Sequence, residues 1–361
     1  MEVGIVGLPT VGKTSLLAAL AGSAAAHSGG GGQKPNLAVA PIPDPRLALL
    51  AEHIRPKKVV QATLQLVDVP GLHHSGGDGK SAANAFLSHV RQVDAICHVV
   101  RCFDDPMVPH VSGSVNPARD IDAIDSELVL ADLAVVEPAI DKAARAARAN
   151  DRDAKMRLAV LERALPILNE GRPLRSVGDW SPEDHHVMKG YGLITAKPVM
   201  YVANVGEDDL AGESAHAATV RSVAESSGAE FVALCAKLEA ELSEFDEAGR
   251  KEMLESLGLS EPAIGPFART LLRLLGLAYF YTAGEKEVRA WIIQQGATAP
   301  EAAGSIHSDI QRGFIRAECY SVDDLVLYRS EKAIREAGKL RSEGKSYVMQ
   351  DGDVVHFLFN V

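Results

Sequence analysis

Gly7-Leu8-Pro9-Thr10-Val11-Gly12-Lys13-Thr14 fits the pattern G-x-x-x-x-G-K-[ST], and its surroundings decide how the chain folds. A short apolar run, residues 3–6, precedes it, and a helical pattern, residues 15–20, follows. A strand that turns through glycines into a helix aims backbone N–H groups at the helix N-terminus, where a polyphosphate can be cradled. Lys13 can set its ammonium between the β- and γ-phosphates, and Thr14 can ligate Mg²⁺. Pro9, Thr10, Val11, Gly12 and Ser15 complete the expected cradle.

Outward from this loop, apolar runs at residues 64–67, 95–100, 199–203 and 231–235 alternate with helical patterns, which predicts an α/β fold with a mostly parallel sheet. Asp68-Val69-Pro70-Gly71 closes the first of these runs. There the Asp68 carboxylate can hold Mg²⁺ through water and the Gly71 amide can sense the γ-phosphate. Asn204-Val205-Gly206-Glu207 follows a later strand, the position from which G proteins read the base. The usual guanine reader there is Asn-Lys-x-Asp, whose Asp takes two hydrogen bonds from guanine. Glu207 is one methylene longer, and the Asn204 amide suits an adenine edge as well as a guanine one. Cys235 and Ala236 stand where the last base-contacting loop belongs.

Residues 120–197 interrupt the sheet pattern. Leu130, Leu133, Val136 and Ile140, then Leu158, Leu161, Leu165 and Leu168, recur at helical spacing on either side of a polar link at residues 149–152. They predict either a helical hairpin insertion or surface helices covering the sheet. From residue 277 strand-like pieces at 288–293, 314–320 and 354–359 surround a helical stretch at 300–312, a small α+β module. The domain division is therefore residues 1–120 with 198–276 for nucleotide, 121–197 for the helical hairpin, and 277–361 for the last module.

The 361 residues are 47% hydrophobic, enough for more than one core, and carry a formal charge of −11. That charge argues against a nucleic-acid coating protein and gives no case for sequence-specific DNA. The four cysteines form no C-x-x-C pair and read as buried, reduced thiols. Residues 1–7 run straight into a functional loop, and no apolar stretch is long enough to span a bilayer, so a cytoplasmic protein without a membrane partner is expected.

The order Gly-Leu-Pro-x-Val-Gly-Lys, Asp-Val-Pro-Gly-Leu and Asn-Val-x-Glu resembles the YchF subfamily of Obg-like P-loop ATPases. The likeness continues through Pro41-Ile42-Pro43-Asp44-Pro45-Arg46-Leu47, His98-Val99-Val100-Arg101-Cys102-Phe103, Glu287-Val288-Arg289-Ala290-Trp291 and the ending His356-Phe357-Leu358-Phe359-Asn360-Val361. The resemblance implies a coiled-coil insertion, a C-terminal TGS module of β-grasp type, slow Mg²⁺-dependent hydrolysis of ATP in preference to GTP, and association with the ribosome. Arg55, Lys57 and Lys58, and Arg145, Arg148 and Arg152, are the candidate phosphate contacts for the last.

Leu72 stands where many G proteins carry a water-orienting Gln, and resembles the hydrophobic substitution of this family. Catalysis must then rest on Lys13, Gly71, Mg²⁺ and another polar group, for which His73 and His74 are candidates, or wait for a partner to supply one. Three positions depart from the family. Thr10 replaces an Asn that helps hold potassium in related enzymes, and Gly32 and Gly77 replace a switch threonine and a histidine. A GTP-specific protein and a non-hydrolysing module stabilised by nucleotide remain open beside the ATPase.

Overall fold

Val3, Ile5 and Val6 are all buried, so β1 (Glu2–Val6) has no face left for water and belongs inside a sheet. A computed structural model describes residues 1–21, 36–70, 79–148 and 151–360. The chain forms two compact units, Met1–Ala40 with Gln65–Thr270, and Pro41–Leu64 with Leu271–Val361. Residues 41–64 thus fall in the second unit, although in the chain they lie between two strands of the first.

The first unit is built on a six-stranded sheet in the order β2-β4-β1-β5-β6-β7, where β2 is Asn36–Pro41, β4 Thr63–Asp68, β5 Ala95–Arg101, β6 Val199–Asn204 and β7 Glu230–Leu234. The strands β4, β1, β5, β6 and β7 run parallel, and every residue of β5 and β6 is buried, as in sheets covered by helices on both faces. Parallel strands put all their C-terminal ends on one edge. That edge receives the residues 7–14 loop, Asp68, Phe103 and residues 204–207 together.

Helix α4 (Pro117–Ala147) is N-capped by Asn116, and α5 (Arg152–Asn169) by Asp151. They share a core of Val136, Ala143, Val160, Leu161, Ala164 and Leu168, so the two helices pack against each other within the first unit. Leu133 and Ile140 pack on it as the spacing predicts, but Leu130 is 60% exposed and its neighbour Val129 is buried instead. Asp132, on the same helix, is buried because its carboxylate accepts N–H bonds from Ile194 and Thr195 and the Thr195 hydroxyl. A part-buried polar cluster also ties α4 to the sheet, where Arg175 and Tyr201 both bond Asp125. Beside it burial pushes the His98 imidazole down to about 4, so it stays neutral at ordinary pH.

In the second unit the strands β8 (Leu277–Ala283), β9 (Val288–Gln294), β10 (Phe314–Ser321), β11 (Arg341–Glu343) and β12 (Asp353–Phe359) join β3 (Val59–Val60) in the order β11-β10-β12-β8-β9-β3. Ala299, Ala302 and Ala303 of helix α11 (Ala299–Ile306) lie against Phe280, Phe314 and Phe357, small residues letting the helix approach a sheet of large ones. This is the layout expected of a β-grasp module. The helical stretch predicted at 300–312 breaks at His307, whose extended backbone caps both the helix before and the helix after it. Among the described residues no helix is long and apolar enough to cross a membrane, and all four cysteines are free and buried.

Candidate nucleotide-binding site

The loop after β1 is held tightly enough that two of its positions admit only glycine. A Cβ at Gly7 would lie 2.5 Å from the carbonyl oxygen of Val99, and one at Gly12, where φ is +99°, would lie 2.1 Å from Asn204 Nδ2. Lys13 opens helix α1 (Lys13–Ala21), and its Nζ donates to the carbonyls of Gly7 and Leu8 at 2.9 and 2.8 Å. Burial pulls its ammonium down to about 8, against the pull of the Asp68 carboxylate. Asp68 itself is pushed up by burial and held back by Lys13, so each makes the other's charge tolerable.

Asn204 is the hinge pin of the site. It is buried at the end of β6, its Nδ2 donates to Val11 O at 2.8 Å, and its Oδ1 accepts the Ala236 N–H at 2.9 Å. One side chain thus fastens the phosphate loop to the start of helix α8 (Ala236–Glu244). The amide expected to meet a base spends one donor and one acceptor on the protein.

The result is a cleft of about 710 Å³. Of the residues singled out in the sequence, Thr10, Gly12, Lys13, Thr14, Ser15, Asn204, Val205, Glu207 and Cys235 line it. Val11 and Ala236 are buried behind it and contribute the carbonyl and N–H that Asn204 holds, and Pro9 sits on the loop between Leu8 and Thr10 without lining the cleft. Gly71, Leu72, His73, His74, Gly32 and Gly77 lie outside the described residues.

Sequence reasoning overlooked the wall made by Phe103, Asp104, Asp105, Pro106 and Val108. It is shaped by Arg101, which is 2% exposed yet donates to the carbonyls of Phe103, Asp105 and Val108 while stacking 4.5 Å from the Phe103 ring centre. Farther along, Pro109 O accepts a hydrogen bond from Thr10 Oγ1 at 3.3 Å. His110 accepts the Ser112 N–H on Nδ1, and its Nε2 lies 3.0 Å from Asp120 Oδ2. An arginine after an apolar strand gives no sign in the sequence that its donors will organise a loop.

Thr10 carries φ +63°, a left-handed conformation that β-branched residues resist and Asn tolerates. Thr10→Asn is therefore expected to stabilise the chain by about 1 kcal/mol, seen as a higher melting temperature. An unchanged or lower melting temperature would refute this account of the loop.

The profile described as 50S ribosome-binding GTPase matches residues 2–140, and that of the YchF-GTPase C-terminal region, described as a protein of unknown function, matches residues 277–360. The ribosome-binding ATPase YchF of Pasteurella multocida (strain Pm70) is 46% identical over 362 residues, covering 100% of this chain and 99% of the relative. The chain belongs to the YchF family. The Bacillus subtilis YchF, also named a ribosome-binding ATPase, is 43% identical over 365 residues with both chains covered in full. The solved YchF GTPase of Schizosaccharomyces pombe superposes with a TM-score of 0.85 at 34% identity, covering 99% of this chain and 97% of that one. A GTP binding protein from Pyrococcus horikoshii shares the fold, with a TM-score of 0.59 at 18% identity over both full chains.

Proposed function

We propose that the chain binds a nucleoside triphosphate with Mg²⁺ in this cleft, hydrolyses it slowly with ATP preferred over GTP, and acts as a ribosome-associated switch. One observation carries the reading: a glycine-locked loop opens a helix whose first residue, Lys13, is a desolvated ammonium beside the Asp68 carboxylate. Such a charge is costly until an anion meets it, and a polyphosphate on the loop amides is the anion that fits.

The donor set also suits Mg²⁺. Thr14 lines the cleft and Asp68 stands beside Lys13, so a hydroxyl and a carboxylate would hold the ion and leave the remaining positions to phosphate oxygens and water. When bound, the ion would neutralise charge on the β- and γ-phosphates. Lys13 holds the same phosphates from the protein side, and the Arg101-braced wall keeps the opposite side of the cleft in shape.

The names of the relatives support the ribosome as partner, and Arg55, Lys57 and Lys58, with Arg145, Arg148 and Arg152, are the proposed phosphate contacts. Titration of the purified protein with Mg-ATP and Mg-GTP, followed by turnover assays with and without ribosomes, tests the reading. ATP should bind more tightly than GTP, turnover should be slow and Mg²⁺-dependent, and co-sedimentation with ribosomes should weaken as salt is raised. No turnover in any arm removes the enzyme half, and salt-insensitive or absent co-sedimentation removes the ribosome half. A GTP-specific protein is the second reading, favoured by the S. pombe relative being named a GTPase. Tighter GTP than ATP binding would establish it.

A further inference from the structure

Lys13, Lys237 and Arg101 are cations at the cleft or just behind its wall, and each is held differently. Lys13 Nζ donates to the carbonyls of Gly7 and Leu8. Lys237 Nζ lies 2.7 Å from Glu207 Oε1 on the cleft, a pair that contributes little to the fold because the two side chains are 71% and 55% exposed. Arg101, at the end of β5, is buried and forms no ion pair among the described residues. A guanidinium buried without a carboxylate is costly unless fixed acceptors replace its water. Those acceptors come from one short stretch of chain. Nε donates to Phe103 O at 3.0 Å, one terminal nitrogen to Val108 O at 2.9 Å and the other to Asp105 O at 3.4 Å.

That stretch has little else to hold it. Residues 103–108 belong to no helix or strand, and Met107 at the turn is 88% exposed. Within the turn, Asp105 accepts the Met107 N–H on Oδ1 at 2.8 Å and the Val108 N–H on its carbonyl at 3.1 Å. Just beyond it, the tie to the phosphate loop is the exposed bond from Thr10 Oγ1 to Pro109 O. We propose that Arg101 is the positioning residue of this wall and sets how long a nucleotide stays in the cleft, an inference that rests on the cleft being a nucleotide site. The guanidinium does not itself line the cavity. By fixing the carbonyls of Phe103, Asp105 and Val108 it keeps those residues on the cavity that Lys13 and Thr14 also line. Arginine suits the task because its planar fork reaches acceptors up to seven residues along the chain while its face stacks on the Phe103 ring. Lysine has donors enough, but neither the fork nor the face.

The test measures nucleotide release. The wild type, Arg101→Lys, and a variant with one glycine inserted between Pro106 and Met107 are loaded with Mg-ADP carrying a fluorescent group on its ribose, then mixed with excess unlabelled Mg-ADP. The insertion, at an exposed turn, shifts the Val108 carbonyl away from the guanidinium and leaves every buried side chain in place. Both variants should release the nucleotide about tenfold faster than the wild type. For Arg101→Lys, KM for Mg-ATP should rise with kcat not reduced, and the Met107 and Val108 amides should exchange with deuterium faster. Release from folded Arg101→Lys within about twofold of the wild type overturns the positioning role and leaves the nucleotide site standing. So does a fall in kcat with release unchanged, because Arg101 would then act on the chemistry. Should Arg101→Lys fail to fold, the insertion variant decides by the same twofold criterion. A wild type that binds no Mg-ADP overturns this inference and the nucleotide site together.

Discussion

Lys13→Met is expected to weaken triphosphate binding about a hundredfold and abolish turnover, and yet to make the protein without ligand more stable by about 1–2 kcal/mol. The first part follows from losing charge-assisted hydrogen bonds to phosphate, each worth about 1.5–3 kcal/mol. The second follows from desolvation. Burial lowers the ammonium from 10.5 to about 8, a cost to the folded state of about 3 kcal/mol that the carbonyls of Gly7 and Leu8 only partly offset.

The sign with pH is fixed by the same shift. Below about 8 the lysine is protonated in both the folded and unfolded chain, and the whole cost is present. Between about 8 and 10.5 the unfolded chain holds more protons, so stability rises with pH, and above 10.5 the cost has gone. Lys197 behaves alike, since burial lowers it to about 8 as its Nζ caps the carbonyls of Val90, Arg91 and Val93. Urea melts from pH 7 to 10 should therefore show a rise in the wild type and about half that rise in the Met variant. A Met variant less stable than wild type at pH 7, or one that keeps the full slope, would refute the idea that this loop stores the cost of a buried charge.

Where a functional requirement acts through backbone conformation, the sequence displayed it. Gly7, Gly12 and Lys13 are legible because only glycine fits two of the positions and the spacing to lysine is set by the turn of one loop. The parallel strands were legible for a similar reason, since a strand buried on both faces must be apolar throughout, as β5 and β6 are but for His98, Arg101 and Asn204. What could not be read was partnership between side chains far apart in the chain. Nothing near Arg101 announces that it will hold three carbonyls within the next seven residues, and nothing in Lys237 announces Glu207, 30 positions earlier. Residues 41–64 were hidden differently. Their pairing with the second unit depends on β3 aligning with β9 and on Arg46 bridging Asp44 and Asp351 across 305 positions, neither of which leaves a periodic trace.

Asn204 was the hardest residue to interpret from sequence, and it yields the second large effect. Gly12→Ala should destabilise the chain by about 3 kcal/mol and remove nucleotide binding, because the new methyl meets Asn204 Nδ2 at 2.1 Å and the backbone at φ +99° resists any side chain. Asn204→Ala should cost about as much by another route, leaving the buried Val11 carbonyl and Ala236 N–H without partners. The two losses must not add. Once Asn204 is truncated, the methyl at residue 12 meets open space on that side, and only the backbone strain remains. The double variant should thus recover about 1–2 kcal/mol relative to the sum, a coupling readable from chemical denaturation of the four proteins. Strict additivity would mean that Gly12 is required by its backbone angle alone. Coupling of the expected size would mean that the phosphate loop, the Asn204 amide and the start of α8 are one mechanical piece, so that a phosphate pressing on residues 7–14 is felt directly by the loop that carries Lys237.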